Sequence, residues 1–213
     1  MRSYGQYCPL ARALDVVGDR WTLLVVRELF ARDSRYSDLK DALPGIATNL
    51  LADRLRQLQA HGLVEQYEAP PPVRSAVYRL TQRGRELGPV LRALVSWGRP
   101  LLEAGRGEDA FSPQWLMLAL PILFGHVEVA DLGPLTAVLE MGGEPVTLEI
   151  GETLTSAMGS PAGGGDVRLR GDPEAVFDFL SGRSAGEDGR VVVEGGDEAA
   201  RRLREFARRA GRA

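Results

Sequence analysis

The chain changes character near residue 105, and this change most constrains how it can fold. Of its 25 glycines, 18 lie after residue 104. Residues 1–105 carry 15 basic and 11 acidic side chains, whereas residues 106–213 carry 11 basic and 18 acidic ones. A length of 213 residues is sufficient for two domains of about 100 residues each. We therefore predict two domains, residues 1–105 and residues 106–213.

The composition indicates a globular protein, with 44% hydrophobic and 26% charged residues. No apolar run reaches the roughly 18 residues that a membrane-spanning helix needs, and no apolar segment follows the first four residues as in a secretory signal. We therefore expect a cytoplasmic protein without a membrane partner. The chain has one cysteine, Cys8, and two histidines, His61 and His126. We expect no internal disulfide, no metal site and no cofactor.

The first domain has the apolar periodicity of a helical protein that closes with a hairpin. We predict helices over residues 9–17, 20–31, 36–43 and 47–60, with Asp19 capping the second. Two strands, residues 63–68 and 76–81, flank a turn of three consecutive prolines, and a long helix follows over residues 82–103. This order is typical of a winged helix-turn-helix.

The fourth helix has the side chains of a DNA-recognition helix. With its leucines directed inward, Asn49 and Arg56 point outward, and Thr48 and Arg54 flank the apolar stripe. Asparagine and arginine can read adenine and guanine edges in a major groove, and arginines in the hairpin are placed for phosphate or the minor groove. The alternative is a solvated helix face. The candidate DNA contacts are Thr48, Asn49, Arg54, Arg56, Arg74 and Arg79.

Three segments carry a resemblance to a known family: CPLARALDVVGDRWTLLVVRELF, YSDLKDALPGIATNLLADRLRQLQAHGLV and PPVRSAVYRLTQRGRELGPVLRALVSWG. Together they resemble the HxlR-type winged-helix regulators from about residue 5 to about residue 100. The resemblance implies a homodimeric bacterial transcription factor that binds a palindromic operator and dimerises through its first and last helices. Ala47 and Ala52 stand where this family commonly carries Ser and Thr.

Cys8 precedes Pro9 near the start of the first predicted helix. In the HxlR-type family a cysteine at such a place sometimes senses electrophiles or oxidants, and this chemistry requires a thiolate. The alternative is a small apolar residue buried at the dimer interface. Because the chain has no second cysteine, any disulfide would join two subunits or a small thiol.

The second domain is predicted to be α+β. An apolar helix begins at Ser112-Pro113, and strands are predicted over residues 135–141, 146–150, 167–170 and 190–194. Two segments, VRLRGDPEAVFDFL and VVVEGGDEAARRLREF, repeat a strand, a Gly-Asp turn whose Asp can cap, and a helix. They resemble the end of a sterol-carrier-protein-2-like domain covering residues 112–208. The resemblance implies an apolar cavity, with candidate wall residues Trp115, Met117, Leu118, Phe124, Met141, Met158, Phe177 and Leu180. The alternative is a plain packed core.

These patterns predict a dimeric DNA-binding transcriptional regulator whose second domain binds a lipid-like effector. One alternative is a carrier of lipids or hydrophobic metabolites with secondary DNA binding. Another is a thiol-based regulator that responds through Cys8. The sequence has no Gly-x-Ser-x-Gly, His-Glu-x-x-His or Gly-x-Gly-x-x-Gly motif, so we expect no enzyme and name no catalytic residue.

Overall fold

The computed structural model describes residues 3–69, 75–102 and 107–212. The chain divides into two compact units, Met1–Leu91 and Arg92–Ala213. Each unit has its own secondary structure and core, and the two are described separately.

The first unit is a winged helix-turn-helix, as predicted. Its helices are α1 (Pro9–Val17), α2 (Thr22–Ala31), α3 (Tyr36–Ala42), α4 (Thr48–Ala60) and α5 (Gln82–Arg85). Its strands are β1 (Ser34–Arg35), β2 (Val64–Glu68) and β3 (Ala76–Leu80), which form an antiparallel sheet in the order β1-β3-β2. Helix α6 (Gly88–Gly98) begins in this unit, continues past its boundary and is followed by a 3₁₀ turn, Arg99–Leu102.

Aliphatic side chains of α2, α3 and α4 form the core of the first unit. Val25, Val26 and Leu39 are completely buried, and Leu51 and Leu55 of α4 are at most 1% exposed. The two leucines are four residues apart, so they share one face of α4 and leave the opposite face to solvent.

Three features of the first unit differ from the sequence prediction, and the first is the two-residue strand β1, which was not predicted. Asp19 does not cap α2: its backbone carbonyl accepts a hydrogen bond from Thr22, and its side chain pairs with Arg54 instead. The long closing helix is interrupted after Arg85 and resumes at Gly88, and its last described turn is 3₁₀. Pro89 and Pro100 lie where the helix restarts and where it tightens, and neither has an N–H to donate within a continuous α-helix. The proline turn and Arg74 lie outside the described residues.

The second unit has α and β elements around a mixed sheet. A 3₁₀ turn (Pro113–Trp115) leads into α7 (Leu116–Leu123), and the strands are β4 (Leu135–Glu140), β5 (Val146–Ile150), β6 (Leu154–Met158), β7 (Val167–Gly171) and β8 (Val191–Gly195). Helix α8 (Pro173–Leu180) joins β7 to β8, and α9 (Asp197–Ala210) follows β8. The strand order is β6-β5-β4-β7-β8, with β4 and β7 parallel and the other pairs antiparallel.

The two faces of this sheet differ in polarity. Leu139, Leu148 and Leu169 are completely buried on one face, where they join Phe179 of α8 and Phe206 of α9 in a single core. On the other face, Glu140 pairs with Arg168 and Arg170, with N–O distances of 3.1 and 2.8 Å. The alternation follows from the two-residue period of a strand.

Strand β6 was not predicted, and the predicted aspartate cap of α9 is wrong. β6 has the sequence LTSAM, whose small and polar residues do not show the apolar alternation of a strand. Asp172 caps α8 as predicted, since its carboxylate accepts a hydrogen bond from the Ala175 backbone N–H at 2.9 Å. Asp197 does not cap α9, because Gly196 occupies the N-cap and Asp197 lies in the first turn.

Pro121 lies inside α7, and β6 compensates for it. A proline cannot donate a backbone hydrogen bond to the carbonyl four residues earlier, which here belongs to Met117. The Ser156 hydroxyl of β6 donates to that Met117 carbonyl at 2.5 Å. The helix therefore keeps its proline while this carbonyl has a partner.

Candidate nucleic-acid interface

Helix α3 holds the beginning of α4. Gly45 in the connecting turn has a φ of 88°, a conformation that favours glycine, and Ile46 is 1% exposed. The Tyr36 hydroxyl donates to the Thr48 carbonyl at 2.6 Å, and the Lys40 ammonium donates to the Ile46 carbonyl. The N-cap residue of α4, Ala47, makes no side-chain hydrogen bond. Contacts from α3 therefore position the first turn of α4, and the sequence analysis did not identify Tyr36 or Lys40.

Three of the predicted DNA contacts are exposed on α4. Thr48 and Asn49 are in its first turn, and the side chain of Arg56 is 72% exposed. The Asn49 Oδ1 accepts a hydrogen bond from the Leu50 backbone N–H, and Arg56 pairs with Asp53 at 3.3 Å. Asn49 and Arg56 are seven residues apart, so they lie two turns apart on one face, separated by about 10 Å along the axis. This spacing places an amide and a guanidinium on the same exposed face of α4.

Arg54 is placed differently from Arg56. It is only 9% exposed, and its guanidinium pairs with Asp19, in the turn between α1 and α2, and with Asp53 at 2.8 Å. Burial lowers the pKa of the Arg54 guanidinium, because removal from water disfavours the charged form. The charge of Arg54 is thus used inside the unit, and its role as a DNA contact stays a prediction.

Arg79 lies on β3 within a network of polar side chains. Its Nε is 2.7 Å from Glu65 Oε1 on the paired strand, and its guanidinium carbon lies 4.6 Å from the ring centroid of Tyr67. The Tyr67 hydroxyl donates to Asp33 Oδ2 at 2.9 Å, which raises the pKa of Tyr67. Arg79 is still 44% exposed at its side chain. The network links the wing to the end of α2 and leaves part of a cation accessible.

Large apolar side chains are exposed on two segments. Near the N-terminus these are Tyr4, Tyr7, Leu10 and Leu14; on α6 and the following turn they are Val90, Leu94, Trp97, Leu101 and Leu102. The N-terminal segment is held to α1, since Asp15 accepts hydrogen bonds from the Tyr4 backbone N–H and the Ser3 hydroxyl, both at 2.8 Å. These bonds, the Tyr4 one foremost, lower the pKa of Asp15. Cys8 is partly exposed at the N-cap of α1, between Tyr7 and Leu10.

The candidate cavity residues of the second unit lie in or beside its core. Leu118, Phe124, Met141 and Leu180 are buried, and Trp115, Met117, Met158 and Phe177 are partly exposed. The Phe124 ring packs against Phe177 and Phe206, with centroid separations of 6.0 and 5.9 Å. These residues are brought together, and the contacts in the structure are those of a packed interior.

The second unit also carries an ion-pair cluster that the sequence analysis missed. Arg209 of α9 forms a two-pronged pair with Asp131, at 2.6 and 2.7 Å, and a further pair with Glu205 at 2.9 Å. Hydrogen bonds from Arg209 lower the pKa of Asp131 to about 2, and those from Arg208 and Arg209 lower the pKa of Glu205 to about 2. The cluster links α9 to the loop before β4, and its acidic and basic side chains pair with one another.

Over the described ranges, no group of three or more His, Cys, Asp or Glu side chains could hold a metal ion. Within the same part of the chain, no helix combines the length and the apolarity needed to cross a bilayer.

Comparison with known proteins finds relatives of the N-terminal half of the chain. The model of the HxlR-like helix-turn-helix family matches residues 16–106. The transcriptional regulator sll1512 of Synechocystis sp. (strain PCC 6803) is 44% identical over 102 residues, which are 46% of this chain and 73% of that protein. The regulator YvaP of Bacillus subtilis is 31% identical over 43% of this chain and 86% of its own length.

Among solved structures, the reduced form of the transcriptional regulator YodB from B. subtilis is 28% identical. The match covers 47% of this chain and 99% of YodB, with a TM-score of 0.41. The family model and the two sequence relatives, together with the helix-turn-helix, the hairpin and the exposed face of α4, show that this chain belongs to the HxlR-like helix-turn-helix family of DNA-binding transcriptional regulators.

Proposed function

We propose that the chain regulates transcription as a homodimer that reads a palindromic operator with α4 in the major groove and the wing on the backbone. The observation that carries this proposal is the pair of exposed polar side chains, Asn49 and Arg56, on one face of α4. An amide can bond adenine and a guanidinium can bond guanine, each in a bidentate manner. Thr48 at the start of the helix, Arg79 on β3 and Arg74 in the wing would add phosphate contacts.

The test begins with selection of a tight-binding duplex by the wild-type chain from a library of random sequences. Asn49→Ala and Arg56→Ala should each weaken binding to that duplex by about 1–3 kcal/mol and relax its sequence preference. Arg79→Ala should weaken all duplexes alike, because a phosphate contact carries no sequence information. Arg83→Ala is the matched control, since it removes an exposed arginine on α5. If Asn49→Ala and Arg56→Ala behave like Arg83→Ala, α4 is not the reading element.

The homodimer is supported by the exposed apolar side chains on α1 and α6. Val90, Leu94 and Trp97 are spaced by four and three residues, so they form one stripe along α6 and are 45%, 45% and 75% exposed. Contiguous exposed apolar stripes mark protein interfaces. A twofold dimer would present two α4 helices to half-sites about 34 Å apart, one turn of DNA.

For the second unit we propose a sterol-carrier-protein-2-like fold whose apolar interior takes a lipid-like effector. The order of its elements and its mixed sheet with an apolar and a charged face support the proposal. Met141, Met158 and Phe177 supply adaptable and aromatic surface at the core. An effector can change operator affinity only as far as it binds one arrangement of the dimer more tightly than another. Such coupling typically changes affinity by a factor of about 5 to 150.

Native mass spectrometry of the purified chain, followed by thermal shifts with fatty acids and sterols, tests the effector. A ligand that raises the melting temperature and also changes operator affinity supports the regulator. A ligand that raises the melting temperature and leaves operator affinity unchanged favours the alternative, a lipid carrier with secondary DNA binding.

A further inference from the structure

The short turn between α1 and α2, residues 18–21, has one side chain that pairs with α4 and one that lies beside the turn before α4. The Asp19 carboxylate pairs with Arg54 in the middle of α4. The Trp21 Cη2 atom lies 3.9 Å from the position that a Cβ on Gly45 would occupy, in the turn that leads into α4. One short segment therefore lies close to the turn that precedes the helix and pairs with the seventh residue of the helix.

The Asp19–Arg54 pair differs from the other ion pairs of α4 in what it connects. Asp53 also pairs with Arg54 and with Arg56, but it belongs to α4 and moves with it. Asp19 belongs to a different segment of the chain, so its pair with Arg54 restrains α4 relative to the rest of the unit. The Asp19 side chain is 62% exposed, whereas the Arg54 side chain is 10% exposed. The arginine is thus the partner for which loss of the pair is costly.

A buried guanidinium is stable only where an opposite charge compensates for its lost hydration. The Arg54 Nε and Nη1 atoms are buried, and neither makes a hydrogen bond of normal geometry. If the Asp19 charge is removed, Arg54 loses one of its two carboxylate partners and keeps Asp53, which lies on its own helix. Adjustment of the buried guanidinium toward Asp53 would shift α4 or its neighbours, because the interior is closely packed. Asn49 and Arg56 would shift with the helix.

We propose that Asp19 and Trp21 are positioning residues for operator binding, which hold α4 at the tilt that directs Asn49 and Arg56 to base edges. The proposal rests on the proposed function. Base readout depends on sub-ångström placement, whereas attraction to phosphates acts over several ångströms. A tilted α4 would therefore keep non-specific DNA binding and lose discrimination between sequences.

The experiment measures the ratio of affinities for the selected duplex and for a scrambled duplex of the same composition. Asp19→Asn should lower this ratio at least about fivefold, the loss that accompanies one base contact, with little change in affinity for the scrambled duplex. Asp41→Asn is the matched control, because Asp41 is exposed on α3 and has no ion pair within the described residues. Both variants remove one negative charge, so the general gain in DNA attraction cancels between them.

A second variant shows whether Asp19 acts through Arg54. In an Arg54→Met background no buried charge needs compensation, so adding Asp19→Asn should leave the affinity ratio unchanged. Trp21→Phe should lower the ratio in either background, because Trp21 lies beside the Gly45 turn and its effect does not depend on Arg54. Circular dichroism and melting curves identify any variant that has lost its fold. If Asp19→Asn alone is unfolded, the effect of Asp19→Asn is measured in the Arg54→Met background instead.

The outcomes separate this inference from the proposed function. If the wild-type chain selects no preferred duplex, the proposed function fails. If it selects one and Asp19→Asn matches Asp41→Asn, the positioning role is wrong. If Asp19→Asn lowers the ratio equally with and without Arg54, Asp19 does not act through the pair, and the inference is likewise overturned.

Discussion

Replacement of Trp97 by alanine should weaken the homodimer strongly. The Trp97 side chain is 75% exposed on α6. A tryptophan buries about 150–250 Å² in an interface or core. Three quarters of that area is about 110–190 Å², which at roughly 25 cal/mol per Å² corresponds to an upper limit of about 3–5 kcal/mol for each copy.

A twofold dimer buries the same residue twice, once from each subunit. If one third of the upper limit is realised, because association and side-chain ordering have costs of their own, the two copies contribute about 2–3 kcal/mol. The dimer dissociation constant should then rise about 30- to 150-fold, since each 1.4 kcal/mol is a factor of ten. Alanine favours a helix more than tryptophan does, so α6 itself should persist.

Sedimentation velocity over a dilution series measures this constant. Val192→Ala serves as the control, because Val192 is an apolar side chain, 47% exposed, on β8 and outside the α6 stripe. A Trp97→Ala dissociation constant that equals those of the wild type and Val192→Ala would refute the assignment of the α6 stripe to the dimer interface.

Two further predictions concern stability and thiol chemistry. Ser156→Ala should destabilise the second unit by about 1–3 kcal/mol, because the Met117 carbonyl loses its hydrogen-bond donor. Pro121→Ala in the same chain should restore much of this stability, because alanine supplies a backbone N–H to that carbonyl. Melting curves of the two single variants and the double variant check this prediction, and additive effects of the two substitutions would contradict it. If Cys8 is a thiol sensor, it should be alkylated faster than a free thiol in the folded chain, and Cys8→Ser should abolish any loss of operator affinity on peroxide or quinone treatment. A slow alkylation rate would leave the interface interpretation of Cys8.

The winged helix-turn-helix could be predicted because its signals are local. Helical periodicity, the glycine after Leu43-Pro44, and two strand patterns around a proline run each concern residues close in sequence. The same reasoning placed Asn49 and Arg56 on the exposed side of α4, where the structure has them. It failed for β6, whose residues acquire a strand conformation from pairing with β5 rather than from their own pattern.

Contacts between segments that are distant in sequence could not be predicted from the periodicity of apolar residues. Sequence reasoning gave Asp19 a cap and Arg54 a place beside the DNA-reading face, because each residue was judged within its own helix. The structure pairs these two residues across 35 positions of sequence, and joins Ser156 to the Met117 carbonyl across 39. The sequence around either residue contains no pattern that indicates its partner.

The sequence by itself therefore determined the first four helices and the β2–β3 hairpin of the first unit, the family to which the chain belongs, and which face of α4 is apolar. These properties follow from local backbone preferences and from the period of the apolar residues. Only the tertiary structure decided which polar side chains remain available to a partner and which are used internally, so that Arg56 is exposed and Arg54 is buried two residues away. The physical reason is that the fate of a charge depends on burial and on the partner that the fold brings to it.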